Sequence, residues 1–187
     1  MIPLIRQLAP WLRLLSDWLA VNAAVLNQPK PTMNDTINTS AASVAANRLV
    51  TVCHGASLSA GWWNGPHGLR VDELLRNPAN NTLFGPVVGP WVAGAVYAQK
   101  IALVHSELSE SLEGDRKSLP DDKLPQYPMR VVEIADAMIR AADLAGAVIP
   151  QDAGYTLGDV VAAKLAYNAQ RADHKPENRS AAGGKAY

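Results

Sequence analysis

The feature that most constrains this chain is a pair of acidic doublets set inside apolar helical stretches. Glu107 and Glu110 stand in the run KIALVHSELSESLEGDRK, and Glu133 and Asp136 stand in EIADAMIRAADLAG. On a helix, positions i and i+3 share a face one turn apart. Each doublet therefore aims two carboxylates in one direction. Ile101, Leu103, Val104, Leu108 and Leu112 surround the first doublet, and Val132, Ile134, Ala135, Met138 and Ile139 surround the second. If the two helices pack antiparallel, the four carboxylates meet. Four like charges at that range repel by on the order of several kcal/mol at an intermediate dielectric, which only a cation or proton uptake relieves. An all-oxygen donor set suits Mg²⁺, with Mn²⁺ as the substitute. Magnesium shares its coordination readily with phosphate oxygens, so the pattern points to a divalent-metal site acting on a phosphate ester or anhydride. The competing reading is that the doublets lie on solvated helix faces and hold nothing. Glu113 also divides two ways, as a fifth ligand or base, or as a surface partner of Arg116 or Lys117.

The setting for these doublets is helical. Ala and Leu abound, while the β-branched and aromatic runs of a sheet protein are missing, so an all-α fold is expected. The periodicity predicts helices over about 39–60, 71–76, 91–113, 129–144 and 157–171. Gly114 and Gly146 are expected to end the third and fourth, and Thr156 to cap the last. Residues 64–90 hold Asn64-Gly65-Pro66, Asn77-Pro78, Gly85-Pro86 and Gly89-Pro90, and read as an irregular insertion. The organisation expected is an N-terminal amphipathic helix or extension over 1–32, a helical domain over 33–175 and a flexible tail over 176–187. Leu4, Leu8, Trp11, Leu12, Leu15, Trp18 and Leu19 carry the amphipathic pattern, and Met33 reads as an alternative start.

Charge narrows the partners. Lys and Arg total 17, as do Asp and Glu, so the formal net charge is zero. A dedicated nucleic-acid or membrane-surface binder would carry a basic excess, so neither partner is expected. No apolar run is expected to reach the roughly 18 residues of a membrane span. The single cysteine, Cys53, excludes an intrachain disulfide and a multi-cysteine metal site, and fits a reduced, cytoplasmic setting.

A second constellation sits on the last helix. Lys164, Asn168 and Arg171 recur at four and three residues and share a face, with Tyr167 beside it. Lysine and arginine one turn apart can clamp a polyphosphate; an ordinary basic surface is the alternative. Trp62 and Trp63 offer indole faces that can stack on a base, or else close the hydrophobic core. His54 and Asn47 lie one or more turns behind them, and His105 reads as an interhelical hydrogen-bond partner.

Together these residues resemble the MazG-like, all-α nucleoside triphosphate pyrophosphohydrolases. That family carries E-x-x-E, a spacer of variable length, and E-x-x-D; here the elements are Glu107-x-x-Glu110 and Glu133-x-x-Asp136, separated by 111–132. The element Lys164-x-x-Tyr167-Asn168-x-x-Arg171 is similar to the family's third motif. The resemblance is close over 95–175 and loose over 40–63; residues 1–32 and 64–90 have no counterpart. It implies a helical bundle that assembles as a homodimer or homotetramer, with active sites near subunit contacts. It also implies Mg²⁺ held by Glu107, Glu110, Glu133 and Asp136, and cleavage of the α–β phosphoanhydride of (deoxy)nucleoside triphosphates to a monophosphate and pyrophosphate. Lys164, Tyr167, Asn168, Arg171 and Trp63 are then the expected substrate contacts. The alternative within the same fold is a catalytically silent nucleotide-binding or protein-interaction module. A di-iron carboxylate bundle would place His where Glu110 and Asp136 stand.

Overall fold

The computed structural model describes residues 39–171; the N-terminal helix and the C-terminal tail expected from the sequence lie outside them. The described residues form α1 (Thr39–Ser59), α2 (Val71–Arg76), α3 (Gly85–Lys117), α4 (Met129–Val148) and α5 (Leu157–Gln170), with 3-10 turns at Pro66–Gly68 and Pro78–Asn80. No strand occurs among them, and the all-α expectation holds.

Two boundaries differ from the sequence reading. Helix α3 starts at Gly85, inside the stretch expected to be irregular, and runs through Gly114 to Lys117. Pro86 falls in its first turn, where a missing N–H costs nothing. Helix α4 likewise runs through Gly146 to Val148. Both glycines are there because helices touch, not because a helix stops. A Cβ on Gly114 would lie 2.9 Å from the Met129 Cβ, and one on Gly146 would lie 2.6 Å from the His54 Cβ. The true end of α3 is Ser118 in the left-handed conformation (φ 52°), with the Leu119 N–H donating back to the Gly114 carbonyl at 3.0 Å.

Helix α4 packs between α3 and α1, α5 packs on α1, and α2 bridges α3 and α4. Trp63, Leu144 and Ala147 form the buried centre, with Leu58, Val71, Leu75, Ile101 and Val148 against it. Polar ties fix the register. Trp63 Nε1 donates to Asp143 Oδ1 at 2.8 Å, and His54 Nδ1 lies 2.8 Å from the same oxygen. The Gly158 N–H donates to Asn47 Oδ1 at 2.8 Å, which joins the start of α5 to α1. Thr156 and Asp159 form the expected cap as a reciprocal capping box. In α2, Asp72 is 1% exposed and is held by Arg70 and Arg76.

Large apolar side chains remain outside this core, among them Val87 at 84%, Trp91 at 81% and Leu112 at 62% exposure. Helix α3 also holds an 18-residue window of mean hydropathy 1.4. The expectation that no apolar stretch attains membrane-span length is therefore corrected: by length and composition alone, α3 does so among the described residues. The sequence pattern hides it because the Gly-Pro pairs over 85–90 read as irregular and shorten the helix.

Candidate metal centre

The antiparallel α3–α4 pair builds the site. Along the pair, Gly114 meets Met129, the Ser111 hydroxyl donates to the Arg130 carbonyl at 2.8 Å, and Glu107 reaches Arg140. The connection 118–128 folds back beside this pair. The Asp121 N–H donates to the Tyr127 carbonyl at 3.0 Å, and Asp121 Oδ1 accepts from the Lys123 and Leu124 N–H groups at 2.9 and 2.6 Å. Asp121 is buried by doing so. Its carboxylate anchors the loop that closes one wall of the site.

Between these elements lies a cleft of about 450 Å³ lined by all four doublet acids, by Asp121, Asp122, Lys123 and Leu124 of the connection, and by Met129, Val132 and Arg140 of the segment that follows. One carboxylate oxygen from each of Glu107, Glu110 and Glu133 lies within 4.8 Å of the others. Glu107 and Glu133 are buried and Glu110 is exposed, so the cluster has a dry floor and an open mouth. Asp136 lines the same cleft one turn after Glu133.

The electrostatics follow from this crowding. Burial pushes the Glu133 carboxyl up to about 7, helped by its hydrogen bond with Glu107 and by the negative charges of Glu110, Glu107 and Asp136. Below about pH 7 the protonated Glu133 carboxyl donates to Glu107, which is the proton uptake that a crowded acidic set demands. The Glu107 Oε1 also lies 2.6 Å from Arg140 Nε. The donor set is all oxygen and short of positive charge, and it fits a hard divalent cation held by Glu107, Glu110 and Glu133 with Asp136 at hand.

Several expected site residues fall elsewhere. Trp63 is fully buried, with its ring covered by Lys100 Nζ at 4.1 Å and by His54 edge-on at 5.7 Å. The expectation that Trp63 stacks on a base is corrected: an indole with no exposed face closes the core, whereas Trp62 is 75% exposed. Glu113 pairs with Lys117 at 2.5 Å and Arg116 at 3.3 Å and does not line the cleft. His105 is exposed rather than lodged between helices.

The α5 residues do not join the acids within this chain, because α5 packs on α1 and none of its residues lines the cleft. Lys164 Nζ lies 4.9 Å over the Tyr167 ring, and Tyr167 is 59% exposed. The Asn168 Oδ1 is buried with no hydrogen-bond partner, and Arg171 caps the helix end.

Three residues of the cleft go unread in the sequence. Arg140 stands at i+4 from Asp136, a spacing that identifies the shared face once the acids are known. Asp121 and Asp122 reach the cleft only through the fold of the connection, and no periodicity announces a loop residue. Comparison with family models, with curated proteins and with solved structures returns no match.

Proposed function

We propose that this chain is a divalent-metal-dependent nucleoside triphosphate pyrophosphohydrolase. The observation that carries the reading is the convergence of Glu107, Glu110 and Glu133 on one point within 4.8 Å, on antiparallel helices and in a cleft open at one side. A triphosphate carries the oxygens that complete a partly filled magnesium shell. Bound Mg²⁺ would neutralise the phosphate oxygens at the scissile α–β bridge and acidify a water for in-line attack. Glu107 and Glu133, buried on the floor, would hold the ion. Exposed Glu110 has carboxylate capacity to spare and takes the proton from the attacking water, a role Glu113 cannot fill from outside the cleft. Asp136 orients the second side of the cluster, and the connection 118–128 shields the floor from solvent.

The charge of the leaving pyrophosphate needs cations that the cleft of one chain supplies sparingly. In this reading Lys164, Tyr167, Asn168 and Arg171 reach the substrate across a subunit contact, and the protein acts as a homodimer or homotetramer. Two features support it. Tyr167, beside Lys164 on α5, is 59% exposed in the single chain and open to a partner. The outer face of α3 carries the exposed Val87, Trp91, Gly94, Ala98, His105, Leu108 and Leu112 at spacings of three, four and seven, as in paired helices.

The deciding experiment incubates the protein with a panel of ribo- and deoxynucleoside triphosphates and Mg²⁺ and identifies the products. Monophosphate and pyrophosphate are expected. Diphosphate and orthophosphate would overturn the reaction, and nucleotide binding without turnover would assign the silent module instead.

A further inference from the structure

Arg140 is a cation placed where a cation-binding site should have none. Its Nε lies 2.6 Å from Oε1 of Glu107, one of the three carboxylates that the metal reading requires. The two partners are unequally placed: the Glu107 side chain is 8% exposed and that of Arg140 is 45% exposed. Glu107 cannot leave for solvent without a large desolvated rearrangement, whereas a rotamer change takes the guanidinium out at little cost. Arg140 also shares the face of α4 that bears Glu133 and Asp136 and lines the same cleft. When a divalent ion takes Glu107, the guanidinium is released at the edge of a cleft whose doublet carboxylates are committed to that ion, while Asp121 is held by the Lys123 and Leu124 N–H groups and Asp122 stands in solvent. The matching partner then available is the anion that arrives with the metal, and a planar guanidinium suits two phosphate oxygens at once.

We infer that Arg140 is a substrate-binding residue held in reserve: it neutralises Glu107 in the metal-free cleft, competes with the divalent ion for that carboxylate, and on displacement binds the phosphate chain. The inference rests on the metal-dependent reading of the cleft and adds a residue to it. It also explains how a buried acid on the floor of the cleft is tolerated, since an unpaired buried charge is strongly destabilising.

The test separates the two roles in the full chain. Mn²⁺ binding is measured by calorimetry without nucleotide for wild type, Arg140→Gln and Arg140→Lys. Binding of a non-hydrolysable α,β-methylene deoxynucleoside triphosphate is then measured at saturating Mn²⁺. The expected result for Arg140→Gln is Mn²⁺ binding tightened by about threefold or more, with analogue binding weakened by about tenfold. Arg140→Lys keeps the charge without the fork; it should bind Mn²⁺ as wild type does, weaken the analogue to an intermediate degree and retain the wild-type melting profile. Mn²⁺ affinity that is unchanged or lowered in Arg140→Gln, together with unchanged analogue affinity in both variants, would leave Arg140 a structural counter-ion and overturn the inference. Failure of the wild-type protein to bind Mn²⁺ at all would instead overturn the metal reading beneath it.

Discussion

Glu133 couples the chemistry of the cleft to the stability of the chain. Its carboxyl titrates at about 7 in the folded protein against 4.5 for the ordinary group. The folded state therefore holds a proton that the unfolded state releases between those values. Stability from this group is fully present below pH 4.5 and is lost as pH rises through about 7. The proposed metal binding would have the opposite dependence, because the ion needs the deprotonated carboxylate. The metal-free protein should lose melting temperature as the buffer moves from about pH 5 to about pH 8, and Mg²⁺ should restore it most at the upper end. Glu133→Gln should remove most of this slope, melt higher than wild type at about pH 8 without metal, and lose at least about 100-fold in turnover. Thermal melts across the pH range, with and without Mg²⁺, check the first two points. A wild-type melt that rises with pH in the absence of metal would contradict the burial of this acid. Asp143 makes a contrast: it accepts from the Trp63 indole and pairs with His54, so its work is to hold the core together and not to meet a ligand.

At the scale of the helices, the glycines separate contact from conformation. Gly146 and Gly55 both lie inside helices, where alanine is the better helix former by about 1 kcal/mol. At Gly55 an added Cβ meets nothing within 4 Å, whereas at Gly146 it meets the His54 Cβ at 2.6 Å. Gly55→Ala should therefore raise stability by up to about 1 kcal/mol. Gly146→Ala should lower it by about 1–3 kcal/mol, because α4 must move off α1. Denaturant titrations of the two variants give the sign directly, and stabilisation by both would mean that α1 and α4 are not in register as described. The same contact explains why a sequence-based reading ends α4 early. Glycine is a common stop signal, and nothing in a local window distinguishes a stop from a helix crossing. The reverse error occurs at 85–90, where Gly-Pro pairs read as loop although Pro86 is admissible in a first helical turn. By contrast, the boundaries of α1, α2 and α5 are legible locally, the last through the Thr156–Asp159 box.

For the molecule as a whole, the balance of buried and exposed apolar surface is the informative quantity. The buried centre is small, while Val87, Trp91 and Leu112 lie more than half exposed along the outer stripe of α3. Contiguous exposed apolar surface of this kind marks an interaction site, and the proposed homo-oligomer uses it. Trp91→Asp should dissociate the oligomer and reduce turnover, because Lys164 and Arg171 of a neighbouring copy would no longer reach the cleft. It should leave the helical content unchanged, since Trp91 is 81% exposed in the single chain. Light scattering coupled to gel filtration, together with circular dichroism, tests this. A wild-type monomer of full activity would remove the oligomer from the mechanism.

The acidic doublets, their spacing and their helical setting are local properties, and the sequence alone determines that Glu107 with Glu110, and Glu133 with Asp136, point in shared directions. Helix periodicity acts over one or two turns, so it carries that far. Which helices lie against one another is decided by close packing between segments distant along the chain. Only the tertiary structure brings the doublets onto one cleft, buries Trp63, sets Arg140 against Glu107, folds Asp121 and Asp122 into the wall, and leaves α5 on α1 away from the acids. These outcomes depend on the bare glycine faces and buried hydrogen bonds where the helices touch, and a contact across such distances leaves no trace in a local pattern.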